Sequence, residues 1–278
     1  MPDAPALWPP GGQIAPGIEG VFISYDEPGA DAGFKHARAV LGPIGRVHGM
    51  RGIAAAHRAA GAIASAPRVL VLDGDSWVLP TLAEDLAALP ETDRLVLWHA
   101  RQPHLPFAYG VGGAKLFSRA ALLARGTGTG TLDHSRERGW HGPGQIGMPR
   151  AGNENRFNRS PAHAWRGGFR EAAKLWLMSR DEGATCAISF LFALLSSDLD
   201  AENGGLIRLG AYEGLAMALE APAEAARRLV NDYPRLSEMA AARSGLGRGE
   251  IGRRIARGRP RLPAPATRRE SRLLSPAR

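Results

Sequence analysis

Arg68-Val-Leu-Val-Leu-Asp-Gly-Asp-Ser-Trp-Val78 is the stretch on which the fold turns. Val69, Leu70, Val71 and Leu72 run unbroken into Asp73-Gly74-Asp75. A short continuous apolar run closed by turn residues reads as a strand buried on both faces, as in parallel sheets covered by helices. In such sheets ligands bind beyond the carboxyl ends of the strands. Here that end carries two carboxylates flanking a glycine. Asp73 and Asp75 can hold Mg²⁺ or Mn²⁺, hard cations that take carboxylate oxygens and share their coordination with substrate phosphates. Gly74 lets the chain turn and lets a phosphate come close. The plainer alternative is a strand-ending turn, since Asp and Gly both form turns.

Working back from this strand, 52–65 is Ala-rich and helical, 45–50 is a short strand, 31–41 has helical composition, and Val21-Phe-Ile-Ser-Tyr25 is a first strand closed by Asp26-Glu27-Pro28-Gly29. The order β-α-β-α-β implies right-handed crossovers and a parallel sheet. Working forward, 81–89 reads as a helix, 93–99 and 113–117 as strands, and Ser118 as the cap of a helix reaching about 125. The segment 126–157 contains Gly-Thr repeats and His-Gly-Pro-Gly and reads as a long irregular loop, of the kind that is functional or disordered. Ser160-Pro161 then opens a helix to about 180, Ser as N-cap and Pro at the first position. Trp165, Phe169, Ala172 and Ala173 share one stripe of it. Further helices are expected over 185–196, 210–219 and 223–229.

The net charge of +8 is uneven. From Arg243 onward eleven arginines face two acids, Glu250 and Glu270, so the rest of the chain is close to neutral. Arg, Pro and Gly dominate there, which reads as a disordered basic tail, available to a polyanion or simply the product of an Arg-biased composition. The first seventeen residues are Pro- and Gly-rich, with neither a basic start nor an apolar core, and read as a flexible arm rather than a secretory signal. The longest apolar run, 184–195, is too short to span a bilayer. A single cysteine, Cys186, makes no internal disulfide and reads as a core residue. The expectation is a cytoplasmic protein with no membrane partner.

Gly52-Ile-Ala-Ala-Ala-His57-Arg58 opens the helix that leads into the Asp strand. This resembles the glycosyltransferase pattern in which Gly-x-x-x-Ala-Arg-Asn precedes the Asp-x-Asp strand, with His57 where that Arg stands. The first strand, ending at Asp26, resembles the one that meets the nucleotide in such enzymes. The resemblance implies a GT-A fold: α/β, Rossmann-like, with a mostly parallel central sheet, a helical C-terminal half and a basic tail. A narrower resemblance covers most of the chain. Phe22-Ile-Ser-Tyr-Asp-Glu27, Arg46-Val-His-Gly49, Asp73-Gly-Asp75, Tyr109-Gly-Val-Gly-Gly-Ala-Lys-Leu-Phe117, Phe157-Asn-Arg-Ser-Pro161, Ala164-Trp-Arg-Gly-Gly-Phe-Arg-Glu171 and Gly210-Ala-Tyr-Glu-Gly214 look like the TET/JBP-associated glycosyltransferases of bacteriophages. His163 departs from an aromatic in that family. The chain then divides into an arm (1–17), a nucleotide-sugar half (18–125), an acceptor-side half of the same domain (126–242) and a tail (243–278).

The resemblance implies transfer of a sugar from a UDP-sugar, with Mn²⁺ or Mg²⁺, to hydroxymethylated pyrimidines such as 5-hydroxymethylcytosine in phage DNA, in the host cytoplasm. Asp75 would ligate the metal directly, and Asp73 would meet the ribose or a metal-bound water. Ser24, Tyr25 and Asp26 would meet the base. His48, Gly49 and Gly52 lie where a helix N-terminus can meet phosphate, and His57 follows on that helix. Lys115 approaches the sugar phosphate or is a surface lysine. Arg166 and Arg170 share a helix face, suited to diphosphate or DNA phosphate, or to a salt-bridged face with Glu171 and Lys174. The base that activates the acceptor hydroxyl is sought among Asp133, Glu154 and Glu171, with Asp133, beside His134 in the long loop, preferred. His134, His141 and His163 are candidates for a third metal ligand. Other readings are a GT-A enzyme with a protein, lipid or glycan acceptor, a nucleotidyltransferase with the same metal, or a nucleic-acid-binding module. No Gly-x-x-x-x-Gly-Lys-Ser/Thr stretch occurs, which argues against a P-loop NTPase.

Overall fold

Val69, Leu70, Val71 and Leu72 are fully excluded from solvent, and alternate residues enter two different cores. The computed structural model describes residues 11–109, 113–124, 145–182 and 185–258. They form two compact units that meet in sequence between Arg159 and Ser160. The first contains β1 (Gln13–Ala15), β2 (Ile18–Ser24), α1 (Ala30–Leu41), β3 (Gly45–His48), α2 (Ile53–Ile63), β4 (Arg68–Asp73), β5 (Ser76–Val78), α3 (Pro80–Ala88), β6 (Leu95–Arg101), β7 (Ala108–Tyr109), β8 (Ala114–Ser118), α4 (Arg119–Leu123) and β9 (Gln145–Asn155).

One sheet runs β1-β2-β4-β8-β6-β9-β5, with β3 also on β2 and β7 also on β6. Leu70 and Leu72 join Phe22, Phe34, Leu82 and Trp98 beneath α1 and α3. Val69 and Val71 join Val21, Val47, Ala60 and Phe117 beneath α2 and α4. The expected helix-sheet-helix layering is therefore present, and the unit is α/β, consistent with a Rossmann-like fold. The sheet is not mostly parallel, however. β2 pairs in parallel with β3 and β4, and β6 with β9, but β8 runs against both β4 and β6, and β1, β5 and β7 are antiparallel to their partners. Parallel pairing is confined to strands joined by long crossovers, β2 with β3 and β4 through the β-α-β-α-β portion and β6 with β9.

Two residues, Gly74 and Asp75, separate β4 from β5, yet three strands lie between them in the sheet. A flat sheet would put them roughly 19 Å apart, whereas the link reaches about 11 Å at most. The sheet must curl. Gly113, at the start of β8 with φ +78°, sits against Ser76 Oγ and Asn153 Nδ2, where a Cβ would have no room. The segment expected to be irregular supplies β9, which pairs with β6 on one side and β5 on the other. Its register with β6 jumps between Met148 and Ala151, so Pro149 and Arg150 form a bulge, where a strand tolerates proline. Arg150 turns to Glu84 and Asp85 of α3, and Asp85 also accepts the Trp98 indole N–H at 3.0 Å.

The second unit is helical: α5 (Pro161–Glu182), α6 (Thr185–Leu195), α7 (Gly204–Glu220), α8 (Ala223–Asn231), α9 (Tyr233–Ser244) and α10 (Arg248–Arg257). Ser160 Oγ accepts the His163 N–H at 3.2 Å, the expected cap of α5. Trp165, Phe169, Ala172 and Ala173 are buried, as their stripe predicts. The expected tail is partly structure. Arg243 donates to Glu213 at 2.8 Å and lies over the Trp165 ring, while Ile251 and Ile255, four apart on α10, are buried. Residues 259–278 lie outside the described set. So does the side chain of Cys186. Among the described residues, no helix is long and apolar enough to cross a membrane.

α5 and α7 cross at backbone contact. A Cβ on Gly168 would strike the Ile207 carbonyl, and Cβ atoms on Gly210 and Gly214 would strike the carbonyls of Trp165 and Phe169. Backbone cannot rotate away as a side chain does. Gly214→Ala is therefore expected to destabilise the protein by about 1–3 kcal/mol, whereas Gly252→Ala, on α10 with open space around it, should be neutral or better. Chemical denaturation of both variants checks the pair.

Candidate functional site

β8 runs against both β4 and β6, so β4 and β6 point the same way, and β2, β3 and β9 follow them. The carboxyl ends of these five strands therefore share one edge. It carries Ser24, Tyr25 and Asp26 after β2, His48 and Gly49 after β3, Asp73 and Asp75 after β4, and Glu154 and Asn155 at the end of β9. Lys115 enters from the opposite direction on β8.

Lys115 is 5% exposed and donates from Nζ to Asp73 Oδ2 at 2.6 Å. This answers the choice left open by the sequence, since the lysine is a buried partner of the motif and not a surface residue. Asp73 Oδ1 is buried and accepts no hydrogen bond. Gly74 does not leave an open berth for phosphate. Its Cα faces the Glu27 carboxylate, which a Cβ would strike, and Glu27 Oε2 is held by the Tyr25 N–H at 2.7 Å. Burial pushes the Glu27 carboxyl up, aided by the charges of Asp26 and Asp73 and opposed by the Tyr25 N–H. Burial also pushes Asp75 up, to about 7, reinforced by the charges of Asp73 and Glu27 and countered by Lys115. Three carboxylates thus face one ammonium. Glu27 was given no role from the sequence, where it stands in the segment closing the first strand and at the end of the Phe22 to Glu27 resemblance.

The excess of carboxylate oxygen, and the open acceptor on Asp73, suit a hard divalent cation. Asp73 and Asp75 supply oxygens only in part. Among the described residues, no group of three His, Cys, Asp or Glu side chains is placed to hold a metal ion. A cation here would draw its remaining ligands from water or from the phosphates of a substrate, as Mg²⁺ commonly does.

Ser24 and His48 are register partners on β2 and β3. Ser24 Oγ lies 2.9 Å from His48 Nδ1, and the buried Arg46 donates to Ser24 Oγ at 3.1 Å and to Asp31 at 2.6 Å. Gly49, at φ +74°, returns its N–H to the Ser24 carbonyl at 3.0 Å. Gly52, at φ +87°, precedes α2 without capping it through a side chain, so the first N–H groups of that helix have no side-chain acceptor of that kind. Tyr25 is 41% exposed and Asp26 is exposed too, which suits residues that meet a ligand.

Other expected residues are placed differently. His57 is 1% exposed on the inner face of α2, 5.4 Å from the Phe117 ring, and so belongs to the core. Glu154 accepts from Arg156 at 2.7 Å, and Arg156 and His36 both stack on Trp77. Asp133, His134 and His141 lie outside the described residues. His163 is engaged with Ser160 at the start of α5. In the second unit, Glu171 pairs with Lys174 at 2.8 Å. Arg166 and Arg170 do share a face, but it is turned onto neighbouring helices. Both guanidinium groups lie over Tyr233, and Arg170 Nε donates to the Val230 carbonyl at 2.7 Å, near the end of α8. Their geometry is that of braces between helices.

Comparison of the chain with protein-family models, characterised proteins and solved structures gives no match.

Three outcomes are expected. Asp75 holds its proton more firmly in the folded protein than in the unfolded chain. That advantage is complete below the ordinary carboxylate range and is lost as pH rises through about 7. Asp75→Asn should therefore melt a few degrees higher than the parent near pH 8, with the gap closing near pH 4. Mn²⁺ should raise the parent's melting temperature near pH 8 and leave that of Asp75→Asn unmoved. For the arginine braces, replacing Arg166 and Arg170 together by Gln should lower the melting temperature by roughly 5 °C or more. Unchanged melting with weakened polyanion binding would instead make them phosphate ligands.

Proposed function

We propose that this chain is a metal-dependent glycosyltransferase of the GT-A type. It would transfer a sugar from a UDP-sugar to hydroxymethylated pyrimidine bases in phage DNA, in the host cytoplasm. The observation that carries the nucleotide-sugar half is the strand-end cluster. Asp73 and Asp75 stand at the carboxyl edge with an unsatisfied buried oxygen, next to a lysine and in line with Ser24 and His48. The acceptor half rests on the resemblance to the TET/JBP-associated glycosyltransferases, in the residues around Asp73-Gly-Asp75, Tyr109 to Phe117 and Ala164 to Glu171.

Asp73 and Asp75 would hold Mn²⁺ or Mg²⁺, which when bound neutralises charge on the departing diphosphate. Lys115 fixes Asp73 through Oδ2 and leaves Oδ1 for that purpose. Its charge also counters that of Asp75. Ser24, Tyr25 and Asp26 line the base and ribose position. Gly49 and Gly52 keep side chains away from the start of α2, where backbone N–H groups can meet phosphate. Among the acids considered as the general base for the acceptor hydroxyl, Glu154 stands on this same edge, at the end of β9. Its bond to Arg156 would hold it oriented.

The test has two stages. Full-length protein is incubated with UDP-sugars and Mn²⁺, and released UDP is measured. Nucleosides from hydroxymethylated DNA treated in the same way are then examined by mass spectrometry for a hexose adduct. Both signals are expected, and Asp75→Ala should reduce them by about 100-fold, the rate equivalent of roughly 3 kcal/mol, while remaining folded. UDP release without a nucleoside adduct would move the acceptor to another class. Full activity of folded Asp75→Ala in chelator would remove the metal role.

A further inference from the structure

The buried Arg46 is the hub of a hydrogen-bonded chain that no part of the transfer reaction accounts for. Its guanidinium donates from Nη1 to Asp31 at 2.6 Å and from Nε to Ser24 Oγ at 3.1 Å, and Nη2 lies 3.5 Å from His48 Nδ1. It also rests 5.2 Å over the Phe34 ring. The placement is set by the fold. Arg46 and His48 are two apart on β3 and so share a face, Ser24 is the register partner of His48 on β2, and Asp31 lies in the first turn of α1.

A guanidinium has only donors. Ser24 Oγ therefore accepts a hydrogen bond from Arg46 and has its own O–H left to donate, and His48 Nδ1 lies within reach at 2.9 Å. Arg46 Nη2, 3.5 Å from Nδ1, can only donate, so its approach points to a lone pair on Nδ1, which the Ser24 hydroxyl can then also meet. A neutral imidazole with a bare Nδ1 carries its hydrogen on Nε2. His48 is partly exposed at the strand end, beside Gly49.

We propose that Arg46, through Ser24, is a positioning residue that fixes His48 as its Nε2–H tautomer, so that the end of β3 offers a nucleotide one fixed donor and selects it by an acceptor oxygen. The inference rests on reading this edge as the nucleotide site. The acceptor is a carbonyl of the base or a phosphoryl oxygen. A base-reading donor favours uracil, whose position 4 is a carbonyl, over cytosine, whose position 4 is an amino donor.

Two measurements on the full chain test it. Long-range ¹⁵N–¹H correlation of the imidazole, recorded without ligand, should show His48 protonated at Nε2 with Nδ1 as acceptor. Ser24→Ala, which leaves the Arg46–Asp31 pair in place, should mix the tautomers, and Arg46→Gln should do so further if it folds. Calorimetric titration with UDP, CDP and uridine should show His48→Leu binding UDP about 3–10-fold more weakly, the loss of one hydrogen bond. His48→Gln, whose amide N–H stands in for Nε2–H, should recover most of that loss. A collapse of the UDP-over-CDP preference in His48→Leu assigns the oxygen to the base. Equal losses for UDP and CDP with uridine unchanged assign it to phosphate, and either supports the proposal. An Nδ1–H tautomer in the parent, or parental UDP affinity in His48→Leu, would overturn it. A parent that binds none of the three probes would overturn the nucleotide reading and this inference with it, whereas the ligand-free tautomer separates that case from a failure of the positioning network alone.

Discussion

The two-residue link between β4 and β5 constrains everything around it. Gly74 and Asp75 are too few to cross a flat sheet, so β8, β6 and β9 must curl between the two strands they join. The curl brings Gly113 against Ser76 and Asn153, and it keeps the Asp73-Gly-Asp75 corner lined from several strands at once. The same link makes the corner costly, because it crowds carboxylates where water is scarce. Asp75 is driven upward by that burial and by Asp73 and Glu27.

That cost is offset only in part within the chain. Lys115 answers Asp73, and the Tyr25 N–H answers Glu27, but Asp73 Oδ1 has no donor. Surplus negative charge and an open acceptor favour the approach of a positive group over that of an anion. Perturbed carboxylates in a strand-end cluster are a recurrent mark of functional sites. The neighbouring Ser24–His48–Arg46 chain has the opposite character. Its donors and acceptors are matched among themselves, which holds a direction rather than storing charge.

The helical unit depends on a different constraint, the absence of side chains at Gly168, Gly210 and Gly214, which lets α5 and α7 meet at backbone distance. With those helices so close, Trp165 comes within reach of Glu213, and Arg243 joins both. Arg166 and Arg170 show how far spacing alone can mislead. Four-residue spacing guarantees a shared face, but whether that face meets phosphate or Tyr233 depends on a helix more than sixty residues further along the chain.

The sequence by itself determined what local chemistry controls. Four consecutive apolar residues made β4 a strand buried on both faces, Ser118 and Ser160 capped their helices as read, and the Trp165–Phe169 stripe faced inward. It also placed Asp73, Asp75, Ser24 and His48 at strand ends, because strand ends are marked by where apolar runs stop. Tertiary structure alone decided the rest, for reasons of partnership at long range. β9 reads Gln-Ile-Gly-Met-Pro-Arg-Ala-Gly-Asn-Glu-Asn, a poor strand by propensity, and exists because β6 and β5 pair with its two edges. α10 hides its apolar character in two isoleucines among arginines. His57 reads as a ligand residue by its neighbours in sequence but lies against Phe117. Glu27 looks like part of a turn, and only the fold sets its carboxylate on Gly74, between two aspartates it cannot be seen to meet in one dimension.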